Sequence, residues 1–173
     1  MISDDRYLAV SLLLLSAGYS DIRVRRVPNV LIGIGLAVCF VILWRSHSAD
    51  SFIFALQGLL AALAFTLPLY LIRGLGAGDV KLLAVIGAYL GWPLIGKVML
   101  MSLWLGGFYG LGVLIWTRGL RDYLCRYSIM FRRWWASGRF HYLPPGPAEP
   151  AARTLPFVPF IAVATWVVLY LEH

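Results

Sequence analysis

The sequence predicts an all-α, polytopic membrane protein of six transmembrane helices, with a basic amphipathic cytoplasmic segment between the fifth and the sixth. Three observations predict it. The 173 residues are 61% hydrophobic and only 13% charged, where a soluble domain carries about 25% charged residues. The apolar residues come in continuous runs rather than in alternation, which favours helices, and only helices or closed barrels satisfy their backbones in lipid. The fifteen Lys and Arg residues are spread unevenly between those runs.

The runs are taken in order, each measured against the roughly 20 apolar residues that a spanning helix needs. The first, 7–20, follows Asp4, Asp5 and Arg6. It lacks the basic start and small-residue cleavage site of a signal peptide and is read as a retained span. The second, 27–44, opens at Pro28, a residue suited to a first helical turn, with Asn29 beside it. The third covers 52–72. The fourth, 80–92, begins directly after Asp79, and Gly91-Trp92-Pro93 forms a turn before the fifth, 94–117.

Within 120–136, Leu120, Tyr123, Leu124, Tyr127, Phe131 and Trp134 recur at helical spacing while arginines take other faces. That pattern fits a helix lying on the inner membrane surface, with a substrate-docking arm as the alternative. Residues 144–150 read as an irregular, proline-rich linker. The sixth run, 155–171, carries Pro156 and Pro159 in its first turns, where proline is accepted. The two prolines predict a frayed entry whose backbone groups face a partner chain. Leu171-Glu172-His173 looks like the start of a vector-derived tag and is set aside from the functional reading. Residues 1–173 otherwise form one membrane-embedded domain.

Twelve of the fifteen Lys and Arg fall in 21–29, 73–81 and 118–153, and only Arg6, Arg45 and Lys97 lie elsewhere. Basic residues concentrate on the cytoplasmic side, so the N-terminus is expected outside. The formal net charge of +7 is read as this bias together with contact with the anionic lipid bilayer, not as a nucleic-acid surface. Cys39 and Cys125 form no CxxC pair, and His47, His141 and His173 are scattered. No metal site and no cofactor is expected from that pattern.

Against this apolar background Asp21 and Asp79 stand out. A carboxylate near hydrocarbon is costly and rare without a function. From Tyr7 to Asp21 is about 21 Å of helix, and from Trp92 back to Asp79 about 20 Å. Set against a hydrocarbon core of about 30 Å, both carboxylates fall at one depth, roughly 10 Å inside the inner interface. Two carboxylates that meet in a poor dielectric cannot both ionise easily, so one keeps its proton while the other acts as base. Such a pair can activate water to cut a peptide bond.

Other residues fit around them. Gly76 and Gly78 allow close backbone approach and unusual dihedrals beside Asp79. Lys81, about 200° further round a helix, is expected to point away from Asp79 as an interface anchor, with a substrate or dyad contact as the alternative. Taken singly, Asp21 reads equally as a loop carboxylate paired with Arg23 or Arg25, and Asp79 as a cap of the fourth helix.

These residues resemble the bacterial type IV prepilin peptidases, membrane aspartyl proteases of the Gly-x-Gly-Asp class. Asp21 leading to Pro28-Asn29 matches the family's first catalytic segment, and Gly76-Ala77-Gly78-Asp79-Val80-Lys81-Leu82 matches its second. Leu155-Pro156-Phe157-Val158-Pro159-Phe160 is similar to the family's Pro-Phe-Gly-Pro-Phe, with Val158 where glycine is usual. The resemblance implies that Asp21 and Asp79 are catalytic and that Gly76, Gly78, Lys81, Pro28, Asn29, Pro156 and Pro159 support them. It implies no metal, a prepilin substrate and a site facing the cytoplasm of the inner membrane.

Larger members carry an inserted methylating domain with paired Cys-x-x-Cys motifs, which the 173 residues do not contain. The chain is therefore similar to the short peptidase-only form that serves the Flp, or tight-adherence, pilus. The competing readings are a small proton-coupled transporter, in which the aspartates relay protons, and a non-catalytic scaffold of a secretion machine. Transport would favour Lys, Arg or Glu inside other spans, and none occurs in the second, third or sixth before the suspected tag.

Overall fold

The computed structural model describes residues 4–45, 47–72, 74–117, 120–138 and 156–172. Every regular element among them is a helix: α1 (Asp4–Val24), α2 (Asn29–Arg45), α3 (Ala49–Leu71), α4 (Ala77–Trp116), α5 (Leu120–Ser137) and α6 (Val158–Leu171). Asp5–Val24, Ala49–Leu71 and Ala77–Trp116 are long and apolar enough to cross a membrane, while α2 and α6 are apolar but shorter, at 17 and 14 residues. The linker expected at 144–150 lies outside the described residues.

Two boundaries differ from the expectation. Asp21 does not close α1 but sits inside its last turn, and the helix runs on to Val24. The stop is an αL cap. Arg25 adopts φ 53° and its N–H donates to the Asp21 carbonyl at 2.8 Å. The Ser20 hydroxyl then donates to the Arg26 carbonyl at 2.9 Å, pinning the chain as it turns toward α2.

The second difference is at Gly91-Trp92-Pro93. No loop separates the predicted fourth and fifth spans. α4 is continuous over 40 residues except at Gly91, which takes φ 76° and ψ 176°. One left-handed glycine suffices for the break, because Pro93 then falls at the start of the following arm, where its missing N–H costs nothing. Glycine is required here twice over. The φ value excludes most side chains, and a Cβ would meet the Phe54 ring at 2.0 Å.

The chain forms two compact units. The first comprises Met1–Leu105 and Pro156–His173. In it α1 packs against α2 and α6, burying Val10, Leu14 and Ala17 among Ile86, Leu90 and Ile161. The backbones of α3 and α4 touch: a Cβ on Gly58 would lie 2.0 Å from the Gly87 carbonyl oxygen. That approach falls on a stripe of small buried residues, Ala55, Gly58, Ala62 and Thr66, the pattern by which helices associate in lipid.

Polar atoms in this interior are all accounted for. Tyr89 donates to the Gly35 carbonyl at 2.7 Å, while Thr66 and Thr165 donate back to carbonyls four residues earlier in their own helices. No buried side-chain N or O among the described residues lacks a partner. Outward faces are apolar instead, with Leu12, Leu15, Val30, Ile34 and Leu60 each more than half exposed. Water would tolerate such faces poorly, and lipid suits them.

The second unit, Gly106–Leu155, contains the end of α4 and α5. α5 buries Met130 and leaves Phe131, Arg132, Arg133, Trp134 and Trp135 exposed. It ends on Gly138 at φ 63°, whose N–H returns to the Trp134 carbonyl at 2.8 Å.

Candidate active site

The site lies in the first unit, where the end of α1, the start of α2, the start of α4 and the start of α6 converge. Asp21 is only 6% exposed. Its Oδ2 accepts the backbone N–H of Val158 at 3.1 Å, a buried bond between residues 137 apart in sequence. Burial of an ionisable group without such a donor would be costly. Of the alternative reading, a loop carboxylate paired with Arg23 or Arg25, the loop part does not hold, since Asp21 is a buried residue in the last turn of α1.

Asp79 occupies the third position of α4. Its Oδ2 accepts the N–H of Gly76, the residue just before the helix, at 3.3 Å. That is the reciprocal half of a capping box, in which a third-position carboxylate satisfies an otherwise orphaned donor. The carboxylate therefore caps α4 and remains part-exposed. Asp21 and Asp79 lie within electrostatic reach of each other, so α1 and α4 bring the two sequence-predicted carboxylates to one place.

The supporting residues divide. A Cβ on Gly76 would stand 3.0 Å from Asp79 Oδ2, so glycine there makes room for the carboxylate. Gly78 meets only ordinary contacts, with Val27 at 3.5 Å. Neither has a positive φ; among the described glycines that conformation belongs to Gly91 and Gly138. The expected unusual dihedrals beside Asp79 are absent, because α4 already begins at Ala77 and Gly78 lies within its first turn.

Lys81 does not simply extend toward the interface. Its Nζ donates to Asn29 Oδ1 at 2.9 Å, tying the start of α2 to the first turn of α4. Together with the Gly78–Val27 contact this lays the two predicted segments side by side. Pro28 and Asn29 form a helix start as expected, with the Leu31 and Ile32 N–H groups bonding the Pro28 carbonyl at 3.1 and 3.4 Å.

Pro156 and Pro159 flank the entry to α6, and that entry is committed. It faces inward to Asp21, where the sequence had pointed to a partner chain. Sequence reasoning missed the donor itself, the Val158 N–H. A backbone group leaves no mark in residue type, although Pro159 immediately after it was a signal that the first-turn donors there are few. The valine in place of glycine does not disturb this contact, since any residue but proline offers the same N–H.

A model of the type IV leader peptidase family matches residues 8–111, a stretch that contains Asp21, Pro28, Asn29 and Gly76-Ala77-Gly78-Asp79. The chain belongs to the type IV leader peptidase family. Among curated proteins it is similar to a prepilin leader peptidase/N-methyltransferase of Aeromonas hydrophila, at 32% identity over 97 residues. It is also similar to a protein of the same description from Aeromonas salmonicida strain A449, at 31% identity over 97 residues. Each match covers 56% of this chain and 23% of the relative, so the chain spans about a quarter of the length of the curated relatives it matches. No solved structure matches significantly.

Among the described residues no group of three or more His, Cys, Asp or Glu is placed to hold a metal ion. What the site offers chemically is a buried carboxylate, a part-exposed carboxylate within electrostatic reach of it, and backbone donors to each.

Proposed function

We propose that this member of the type IV leader peptidase family is a membrane aspartyl endopeptidase that removes the short basic leader of prepilins. One observation supports the reading: Asp21 and Asp79 lie within electrostatic reach of each other at the ends of two apolar helices, inside the stretch that the family model matches. In this reading the ionised carboxylate takes a proton from water, the water attacks the scissile carbonyl, and the protonated carboxyl group of the pair gives its proton to the carbonyl oxygen.

The finer assignments belong to the same proposal. Six spans arise if α2 and α6 cross the bilayer and the two arms of α4 each do so, with α5 on the inner surface. The uneven Lys and Arg distribution supports an external N-terminus and a cytoplasmic site on the inner membrane. Flp-type prepilins are proposed as the substrate class, by the likeness of the motifs around Asp21 and Asp79 to the short peptidase-only form. A basic leader gains nothing from Arg23, Arg25 and Arg26, so attraction comes from the pilin's hydrophobic helix packing beside the apolar spans. Gly107, which meets nothing within 4 Å, leaves one open position for such an approach.

The test follows the mass of a full-length pilin precursor incubated with the lipid-embedded protein. The expected result is a leader-sized loss with wild type and none with Asp21→Asn or Asp79→Asn. Cleavage retained by either variant refutes that residue's catalytic assignment.

A further inference from the structure

α1 sorts its side chains onto two faces. Val10, Leu14, Ala17 and Asp21 are all buried. Residues two apart on a helix point about 200° away from each other, and Leu8, Leu12, Leu15 and Tyr19 are correspondingly 61% to 67% exposed.

The outward stripe is apolar along its length and ends in a charge. Arg23, one turn beyond Tyr19, is exposed. Long helical side chains lean back toward the N-terminus, and the Arg23 guanidinium accordingly lies over the Tyr19 ring, 5.2 Å from its centroid. Its companion is an aromatic face, and among the described residues it makes no salt bridge. Arg26, also exposed, adds positive charge on the turn that follows. The αL cap at Arg25 and the Ser20–Arg26 bond fix the course of that turn.

We propose that the outward face of α1, closed by Tyr19, Arg23 and Arg26, is a docking site for an anionic phospholipid, with its acyl chains along the stripe and its phosphate on Arg23. Charge selects this occupant first. A guanidinium drawn back to the edge of an apolar surface is costly without an anion, and a phosphate accepts its N–H groups in pairs.

Length agrees. From Tyr7 to Asp21 α1 rises about 21 Å, against a hydrocarbon core of about 30 Å. A short apolar stretch is matched by local thinning of the bilayer, which carries headgroups to the level of Tyr19 and Arg23. Tyrosine is itself a residue of the headgroup region. A prepilin helix would match the apolar stripe, but a basic leader would bring like charge to Arg23 and Arg26.

The experiment places the full-length protein in phosphatidylcholine nanodiscs with a trace of phosphatidylglycerol that carries a photoreactive headgroup. Mass spectrometry maps the label. It is expected on residues 19–26, about fivefold or more above the label left by phosphatidylcholine bearing the same group. Arg23→Gln is expected to cut labelling by phosphatidylglycerol about fivefold, and Arg23→Lys to keep most of it. Tyr19→Leu is expected to lower it about twofold, through loss of the ring beneath the cation. Soluble inorganic phosphate at constant ionic strength is expected to leave it unchanged.

Equal labelling by the two lipids, or labelling indifferent to Arg23→Gln, overturns the proposal. Competition by inorganic phosphate overturns it too, since the occupant would then be a soluble anion. Competition by full-length pilin precursor does the same, since the occupant would then be the substrate. The substitutions change exposed side chains, and should one of them fail to insert, the contrast between the two lipids on the wild type decides. Cleavage enters none of these readouts, so their outcome is separate from that of the peptidase reading.

Discussion

Lys81 on α4 and Asn29 at the start of α2 are joined by a 2.9 Å hydrogen bond across 52 residues of sequence. The bond is exposed, so its contribution to stability is small, up to about 1 kcal/mol. Its consequence is geometric, since it holds the turn after Asp21 against the turn that carries Asp79. In a double-mutant cycle, Lys81→Met and Asn29→Ala are each expected to lower prepilin cleavage, and the double variant to be no worse than the poorer single one. Losses that simply add would show that the two residues act independently. Lys81→Arg is expected to rescue only partly, because a planar guanidinium reaches one amide oxygen differently from an ammonium.

Gly76 and Gly78 look alike in sequence and are expected to behave differently. A methyl on Gly76 would press on Asp79 Oδ2 at 3.0 Å, displacing the carboxylate that the proposed reaction uses. Small misplacements of a reacting group are costly, on the order of 100-fold for about 1 Å. Gly76→Ala is therefore expected to reduce cleavage by at least about tenfold. Gly78→Ala meets Val27 at an ordinary 3.5 Å and is expected to stay within about threefold of wild type, since a contact at that distance needs no displacement. Equal losses in the two variants, measured on one pilin precursor, would remove the argument.

Gly58 and Gly87 hold α3 against α4, and there the obstacle to a side chain is backbone, which cannot rotate away. Added Cβ atoms would lie 2.0 and 2.4 Å from the opposing carbonyl oxygens. Gly58→Ala and Gly87→Ala are expected to destabilise by about 1–3 kcal/mol or more, as overpacking does. Gly33 meets nothing within 4 Å, so Gly33→Ala is expected to be neutral or mildly stabilising. Thermal unfolding in one detergent compares the three.

How much of this was written in the sequence depends on the kind of signal. Asp21 and Asp79 were legible because a carboxylate contrasts with an apolar run, and Pro28 because proline marks a helix start. The kink at Gly91 was visible as a glycine two residues before a proline. Its sharpness was not, because a single residue with φ 76° carries the whole break where a turn of several residues was expected. The Gly58–Gly87 contact was readable in principle from small residues four apart on α3. The Val158–Asp21 bond was not. Its donor is backbone, its partner is 137 residues away, and neither helix propensity nor periodicity encodes which carboxylate a helix end will meet.

α5 offers the last prediction. Its exposed residues include Trp135 at 80% and Trp134 at 46%, with the Phe131 and Trp134 ring centroids 5.9 Å apart and Arg132 and Arg133 exposed beside them. Aromatic rings prefer the depth of the headgroups, and arginines prefer anionic phosphates there. A variant that keeps Trp134 and Trp135 but replaces the other five of the seven tryptophans isolates their fluorescence. In nanodiscs of brominated anionic lipid the emission is expected to be strongly quenched, and adding full-length pilin precursor is expected to leave the quenching unchanged. Quenching relieved by the precursor would mean that the substrate displaces lipid from these rings, which is the signature of a docking arm rather than of a helix resting on the membrane surface.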